Sequence, residues 1–323
     1  FLVFTQAAFE AGTIVALVPA LLAVSVSAGG TLVAHYSLDA VDRIRMRDAF
    51  GRFVPAPVVD EALASAGEDL RLNGVRRDAT VLFADLRGFT TLAESLEPEQ
   101  VASYGSLFDV LVEAARASGR GPQGLVCEVL STLPFPLRQV LRRHGLGRFR
   151  VAQKANLDDP SDVYRCENAR PEDWVMLGNH DTPTLWTVLS RWGAAGTLPY
   201  QVAYLARRLA PAGEAREQLA LAFTRDPGLL AQGHLANLFV SPAENVQVFF
   251  TDLMGMLEPF NRPGTTNPAN WSLRVPPDYS TAYPQARARN AALHLPRALS
   301  LALRGRGLEG VQGPLVRALE RLP

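Results

Sequence analysis

The stretch LVCEVLSTLPFPLRQVLRRHGLGRFRVAQKANLDDPSDVYRCENARPEDWVMLGNHDTPTLW, residues 125–186, decides the fold. Residues 125–130 alternate Leu125, Cys127 and Val129 against Val126, Glu128 and Leu130, the period of a strand. Residues 149–154 (FRVAQK) and 173–181 (DWVMLGNHD) are short apolar runs of the buried-strand kind, and residues 246–255 (VQVFFTDLMG) supply a fourth. Helical segments fall between them, over residues 136–144, 184–192, 198–209 and 214–223. Alternating helices and near-continuous apolar strands predict an α/β fold with a helix-covered parallel sheet. Upstream, residues 108–120 (FDVLVEAARASGR) form a further helix. Downstream, residues 285–323 read as Arg-rich amphipathic helices with Arg287, Arg289, Arg297, Arg304 and Arg306 on solvated faces, without a functional role.

Polar residues gather where these strands end. Glu128 closes one, Asn179-His180-Asp181 another and Thr251-Asp252 a third. In a (β/α) barrel the C-terminal ends of the strands form the catalytic face. A carboxylate there equally marks the point where a strand meets solvent, and His180 equally suits a turn. Cys127 points away from Glu128 and reads as a core residue.

Composition narrows the function. Of 323 residues, 32 are Lys or Arg and 32 Asp or Glu, so the net charge is zero and a nucleic-acid partner is disfavoured. A hydrophobic fraction of 48% excludes a largely disordered chain, and two cysteines make no disulfide framework. Lys154 is the one lysine beside 31 arginines, a coding bias that runs through the whole chain.

The N-terminal third reads differently. No charged residue stands between Glu10 and Asp39, and residues 13–35 are long enough to cross a hydrocarbon core, which takes about 20 apolar residues. Arg43, Arg45 and Arg47 follow, so the C-terminal bulk is expected on the cytoplasmic side of the inner membrane. Residues 38–50 read as a charged connecting helix. Next, ATVLFADL ends a buried-strand run at Asp85, which by itself is more often a turn residue than a cation ligand. VLFADLRGFTTLAE, preceded by FGRFVPAPVVDEAL, resembles the start of class III adenylate/guanylate cyclases. That resemblance implies a metal-binding role for Asp85, with Mg only in an intact cyclase. The second metal Asp, the purine-selecting residues and the Asn/Arg pair are absent, and two-metal chemistry needs both carboxylates. No cyclase activity is expected.

From about residue 107 onward, the stretch quoted first and FNRPGTTNPANWSLRV (residues 260–275) resemble the C-terminal half of 4-α-glucanotransferases, or amylomaltases. These are retaining transglycosylases of the α-amylase type on a (β/α)8 barrel. The resemblance implies α-1,4-glucan (maltooligosaccharide) substrates and no cofactor. It makes Glu128 the general acid/base ending the fifth barrel strand, Asp181 the carboxylate that grips sugar hydroxyls and stabilises the oxocarbenium-like state, and His180, with Asn179, substrate-binding. Retention requires a second carboxylate about 5 Å from the acid as nucleophile. The family's Arg-x-Asp-His-like nucleophile motif does not occur in this sequence.

The resemblances meet at residues 103–111 without a Pro-, Gly- or Ser-rich linker. The chain therefore reads as a join of pieces of two genes, by assembly error, deletion or deliberate fusion. It divides into a membrane segment (1–38), a connecting helix with a truncated cyclase start (39–106) and half a glucanotransferase barrel (107–323), whose open edges invite self-association. The expected function is 4-α-glucanotransferase-type transfer, with little activity in this chain. The alternatives are a membrane-anchored cyclase fragment and a non-catalytic glucan-binding module using Asp181, His180, Trp186 and Trp271. If the N-terminal part is foreign, the remainder is cytoplasmic.

Overall fold

The computed structural model describes residues 98–119, 121, 124–129 and 135–322, together with residues 10, 11 and 27. The chain divides into two units, Phe1–Arg77 and Asp78–Pro323, and the elements below belong to the second. The expected span (13–35, apart from residue 27), the connecting helix and Asp85 lie outside the described residues. Among the described residues, no helix is long and apolar enough to cross a membrane.

Helix α1, Pro98–Ala117, runs unbroken through residues 103–111, where the two resemblances meet. Helix α2, Phe135–His144, packs on it. Val112, Val129, Leu141 and Leu146 form a small core between them, with Cys127 against it as expected.

Three short strands follow, β1 Phe149–Val151, β2 Trp174–Met176 and β3 Asn245–Gln247. They pair in parallel and in chain order, Phe149 opposite Trp174 and Trp174 opposite Asn245. A parallel bridge between Cys127 and Arg148 continues the sheet beyond β1. The sequence led to longer strands. Residues 125–130 contribute that single bridge, and Ala152–Lys154 turn into a 3-10 helix. Beyond β3 the expected strand breaks off, and Phe250–Leu253 coil into a one-turn helix. Short apolar runs carry no period long enough to separate strand from buried helix, which explains the error.

Helices α3 Leu185–Ala194, α4 Leu198–Leu209, α5 Glu214–Arg225 and α6 Pro227–Val240 connect β2 to β3. The sequence reading missed α6. Every residue from Leu230 to Leu238 is buried, Gln232, His234 and Asn237 included, so the helix has no solvated face and shows no amphipathic stripe. Its start signals were nonetheless present: Pro227 opens it, and the Asp226 side chain accepts from the Leu229 amide at 3.1 Å. After the one-turn helix, which we number α7, come α8 Tyr279–Ala288, α9 Leu295–Gly305 and α10 Glu309–Arg321. α9 packs on both α6 and α10. The C-terminal arginines are not all solvated: Arg304 bridges Glu309 and Glu320, and Arg306 donates to the Ser241 carbonyl.

A buried ion pair fastens the strands at their N-terminal ends. Asp173 accepts from Arg150 Nε at 2.9 Å and from the amides of Arg148 and Arg170 at 3.0 and 2.9 Å. With Arg150 Nη2 at 2.8 Å, four donors satisfy the carboxylate, which offsets the cost of burying its charge. Just before β1, Gly147 lies so close to β2's approach that a Cβ there would stand 1.7 Å from the Glu172 carbonyl oxygen. Gly147→Ala should therefore destabilise the chain by more than about 2 kcal/mol in urea unfolding, since the obstacle is backbone and cannot rotate away.

Two buried titratable groups give opposing pH dependences. Burial pushes the Asp252 carboxyl up to about 6 from its ordinary 3.8, so the folded state holds the proton more tightly and stability falls as pH rises across that window. Burial pulls the His234 imidazole down to about 4 from 6.5, so that contribution rises with pH. Asp252→Asn should thus gain about 3 kcal/mol relative to the wild type between pH 4 and 7. His234→Gln should gain, relative to the wild type, as pH falls from 6.5 to 4. Urea midpoints measured across this range check both.

Candidate active site

The strand ends converge as a parallel sheet requires. β2 leads through buried Leu177 into Gly178, where a Cβ would meet Thr182 Oγ1 at 2.6 Å and Gln153 Nε2 at 2.7 Å. Glycine lets the segments after β1 and β2 approach here. The next four residues close a turn on themselves. The Asn179 amide donates to Thr182 Oγ1 at 2.8 Å, and the Asp181 amide donates to Asn179 Oδ1 at 3.1 Å. Asn and Thr side chains favour such local bonds over strand continuation. The turn buries Asn179 and Thr182 and displays the side chains of His180 and Asp181, each about one-third exposed at 32%, with His180 Nε2 3.6 Å from Asp181 Oδ1.

Asn179 also reaches sideways. Its Nδ2 donates to Glu128 Oε1 at 3.3 Å, so the exposed Glu128 is tied to the turn that carries His180 and Asp181. The four residues read from the sequence are therefore brought together. Asn179 spends its amide group inside the protein, on Glu128 and on the Asp181 backbone.

Helix α3 begins directly after the turn. Thr184 caps it by accepting from the Thr187 amide. The Leu185 amide donates to Asp252 Oδ1 at 2.7 Å, and Trp186 Nε1 donates to the Asp252 carbonyl at 2.8 Å. Asp252 was singled out as a strand end. It is instead a buried residue of α7 that receives the first amide of α3. Trp186 is half-buried and packs against the main core.

The segment after α7 returns to the site. Asn261 Nδ2 donates to Asp181 Oδ1 at 2.6 Å, and the Asn261 amide donates to the His180 carbonyl at 3.0 Å. Trp271 has φ 63°, a left-handed conformation that a bulky residue rarely adopts. Its amide donates to the Phe260 carbonyl at 2.9 Å, and its ring lies 5.2 Å from that of His180 and edge-on to Phe260 at 5.3 Å. Trp271 remains 53% exposed beside the two displayed side chains. Sequence reasoning named Trp271 but passed over Asn261 and Gln153. Asn261 stands in a loop rich in turn formers, where an asparagine looks like a turn residue.

Chemically, the site offers two carboxylates, an imidazole and an indole face. These suit hydrogen bonding to, and stacking on, a polyhydroxylated ring. Cys127 is no nucleophile, because burial pushes its thiol up to about 11. No group of three or more His, Cys, Asp or Glu residues that could hold a metal ion occurs among the described residues.

No curated protein matches the chain. Similar solved structures include two amylomaltases. The amylomaltase from Streptococcus agalactiae in complex with acarbose shares 16% identity over 51% of this chain and 30% of that one, with a TM-score of 0.39. The amylomaltase from Corynebacterium glutamicum shares 19% identity over 59% and 30%, with a TM-score of 0.41. The chain thus spans about 30% of the length of each. A family model described as 4-alpha-glucanotransferase matches residues 94–280, more than half of the chain and all four residues of the site, and on that match the chain belongs to the 4-alpha-glucanotransferase family.

Proposed function

We propose that this part of the chain is the acid/base half of a glucanotransferase centre, the second half of a (β/α)8 barrel that holds α-1,4-linked glucose units. The observation that carries the reading is the Asn179 amide, which links Glu128 to the turn displaying His180 and Asp181. In this reading Glu128 protonates the leaving glycosidic oxygen. Asp181 grips sugar hydroxyls and faces the positive charge that develops at the ring. His180 binds a hydroxyl, and exposed Trp271 stacks on a sugar face.

A retaining double displacement also needs a carboxylate nucleophile. No Asp-His dipeptide occurs in the 323 residues, so the chain should bind glucan with little or no turnover. Titration of the purified chain with acarbose or maltotriose should quench tryptophan fluorescence. Trp271→Ala should remove most of that quenching, and Asp181→Ala should weaken binding at least about tenfold. Glucose release from maltotriose should be absent. Release that disappears in Glu128→Gln would show the chain to be a complete enzyme, and an absence of any glucan binding would remove the reading altogether.

For the N-terminal part we propose a membrane anchor at residues 13–35, with the rest of the chain cytoplasmic. This rests on the charge-free stretch and the arginines after it. The chain should stay in the membrane fraction after an alkaline carbonate wash, whereas a chain lacking residues 1–38 should not. The cyclase-like stretch supports no activity, and cyclic nucleotide formation lost in Asp85→Ala would contradict that.

A further inference from the structure

We infer that Asn261 is a positioning residue for Asp181, fixing the direction in which its carboxylate faces a bound glucan. The inference rests on the glucan-binding reading of the site. Asn261 is far from the site in sequence, yet it holds the 179–182 turn at two adjacent points. Its backbone amide donates to the His180 carbonyl at 3.0 Å, and its side-chain Nδ2 donates to Asp181 Oδ1 at 2.6 Å. The first contact fixes the height of the turn. The second fixes the rotation of the carboxylate.

Three features make this more than a loop contact. Both hydrogen-bond and ionic partners fall on one oxygen, Asn261 Nδ2 at 2.6 Å and His180 Nε2 at 3.6 Å from Oδ1. Among the described residues no hydrogen bond reaches Oδ2, which leaves that oxygen for a ligand. An amide is also the donor type this task needs. Hydrogen bonds to a carboxylate are short and strong, but a neutral amide orients the group without cancelling the charge that a cationic transition state requires. An arginine or lysine at residue 261 would bind the carboxylate equally well and neutralise it. Finally, Asn261 is itself anchored. Its neighbour Phe260 accepts the Trp271 amide and packs edge-on against Phe249, Phe250 and Trp271, so the donor is held from behind.

The test is a double-mutant cycle on the full chain with Asn261→Leu and Asp181→Ala. Leucine keeps the branched outline of the side chain and the backbone amide while removing the donor. If Asn261 acts through Asp181, Asn261→Leu weakens acarbose binding about tenfold in the wild type and has no further effect in Asp181→Ala. An equal loss in both backgrounds would overturn the inference, because Asn261 would then act on the sugar directly or only through the fold. If the wild type binds no acarbose, the glucan reading fails by itself. In that case, or where Asp181→Ala binds too weakly to measure, the same four chains are compared by their urea midpoints. Non-additive midpoints support the Asn261–Asp181 coupling, and additive ones overturn it.

Discussion

The Leu185 amide donates to the buried carboxylate of Asp252 at 2.7 Å, and the arrangement of the site depends on that bond. α3 starts where the 179–182 turn ends, so its first turn carries amides with no partner inside the helix. Asp252, brought up by the segment after β3, satisfies one of them. The bond fixes the start of α3 against the end of β3 and thereby frames the loop between β2 and α3. The Trp186 indole bonding to the Asp252 carbonyl repeats the link one residue further on. Burial keeps water out of this joint and raises the carboxyl's proton affinity, so the joint is also sensitive to pH.

On this frame the displayed residues are held from two directions. From one side, Asn179 ties the turn to Glu128 and, through its own carbonyl-type oxygen, to the Asp181 amide. From the other, Asn261 and Trp271 fold back from a loop that the sequence places far downstream. The left-handed backbone of Trp271 costs energy that a bulky residue does not usually incur, and the Phe260 cluster holds it there. At the opposite end of the strands, the Arg150–Asp173 pair has no such freedom, because both partners are buried and fully engaged.

Much of this was legible in the residues. The NHD triplet after an apolar run announced a strand end with a polar turn. Glu128 after the Leu125–Val129 alternation announced another, and the structure ties the two together through Asn179. The helices over residues 135–144, 185–194, 198–209 and 214–225 followed from periodicity, to within two residues at their ends. What failed did so for physical reasons. α6 is buried on all sides and so lacks the stripe that marks a surface helix. VQVFFTDLMG is apolar enough to be a strand throughout, but Phe250–Leu253 coil so that Asp252 can reach α3. Trp186 and Trp271 are chemically alike, and only the fold packed one against the core and left the other exposed beside His180.

By itself the sequence determined the class of fold and the order of most of its elements, and it singled out Glu128, Asn179, His180 and Asp181, which the structure brings together. These follow from local patterns: the alternation of apolar residues, the turn chemistry of Asn and Thr, and the family wording of residues 125–186 and 260–275. Tertiary structure alone decided which side chains support that set. Asp252, Asn261 and Trp271 lie about 70 to 90 residues beyond Leu185, Asp181 and His180, which they contact, and no local pattern encodes a contact at that separation. Such contacts form only when the parallel sheet brings the ends of β2 and β3 side by side, because parallel pairing places consecutive strand ends on one face however long the connection between them.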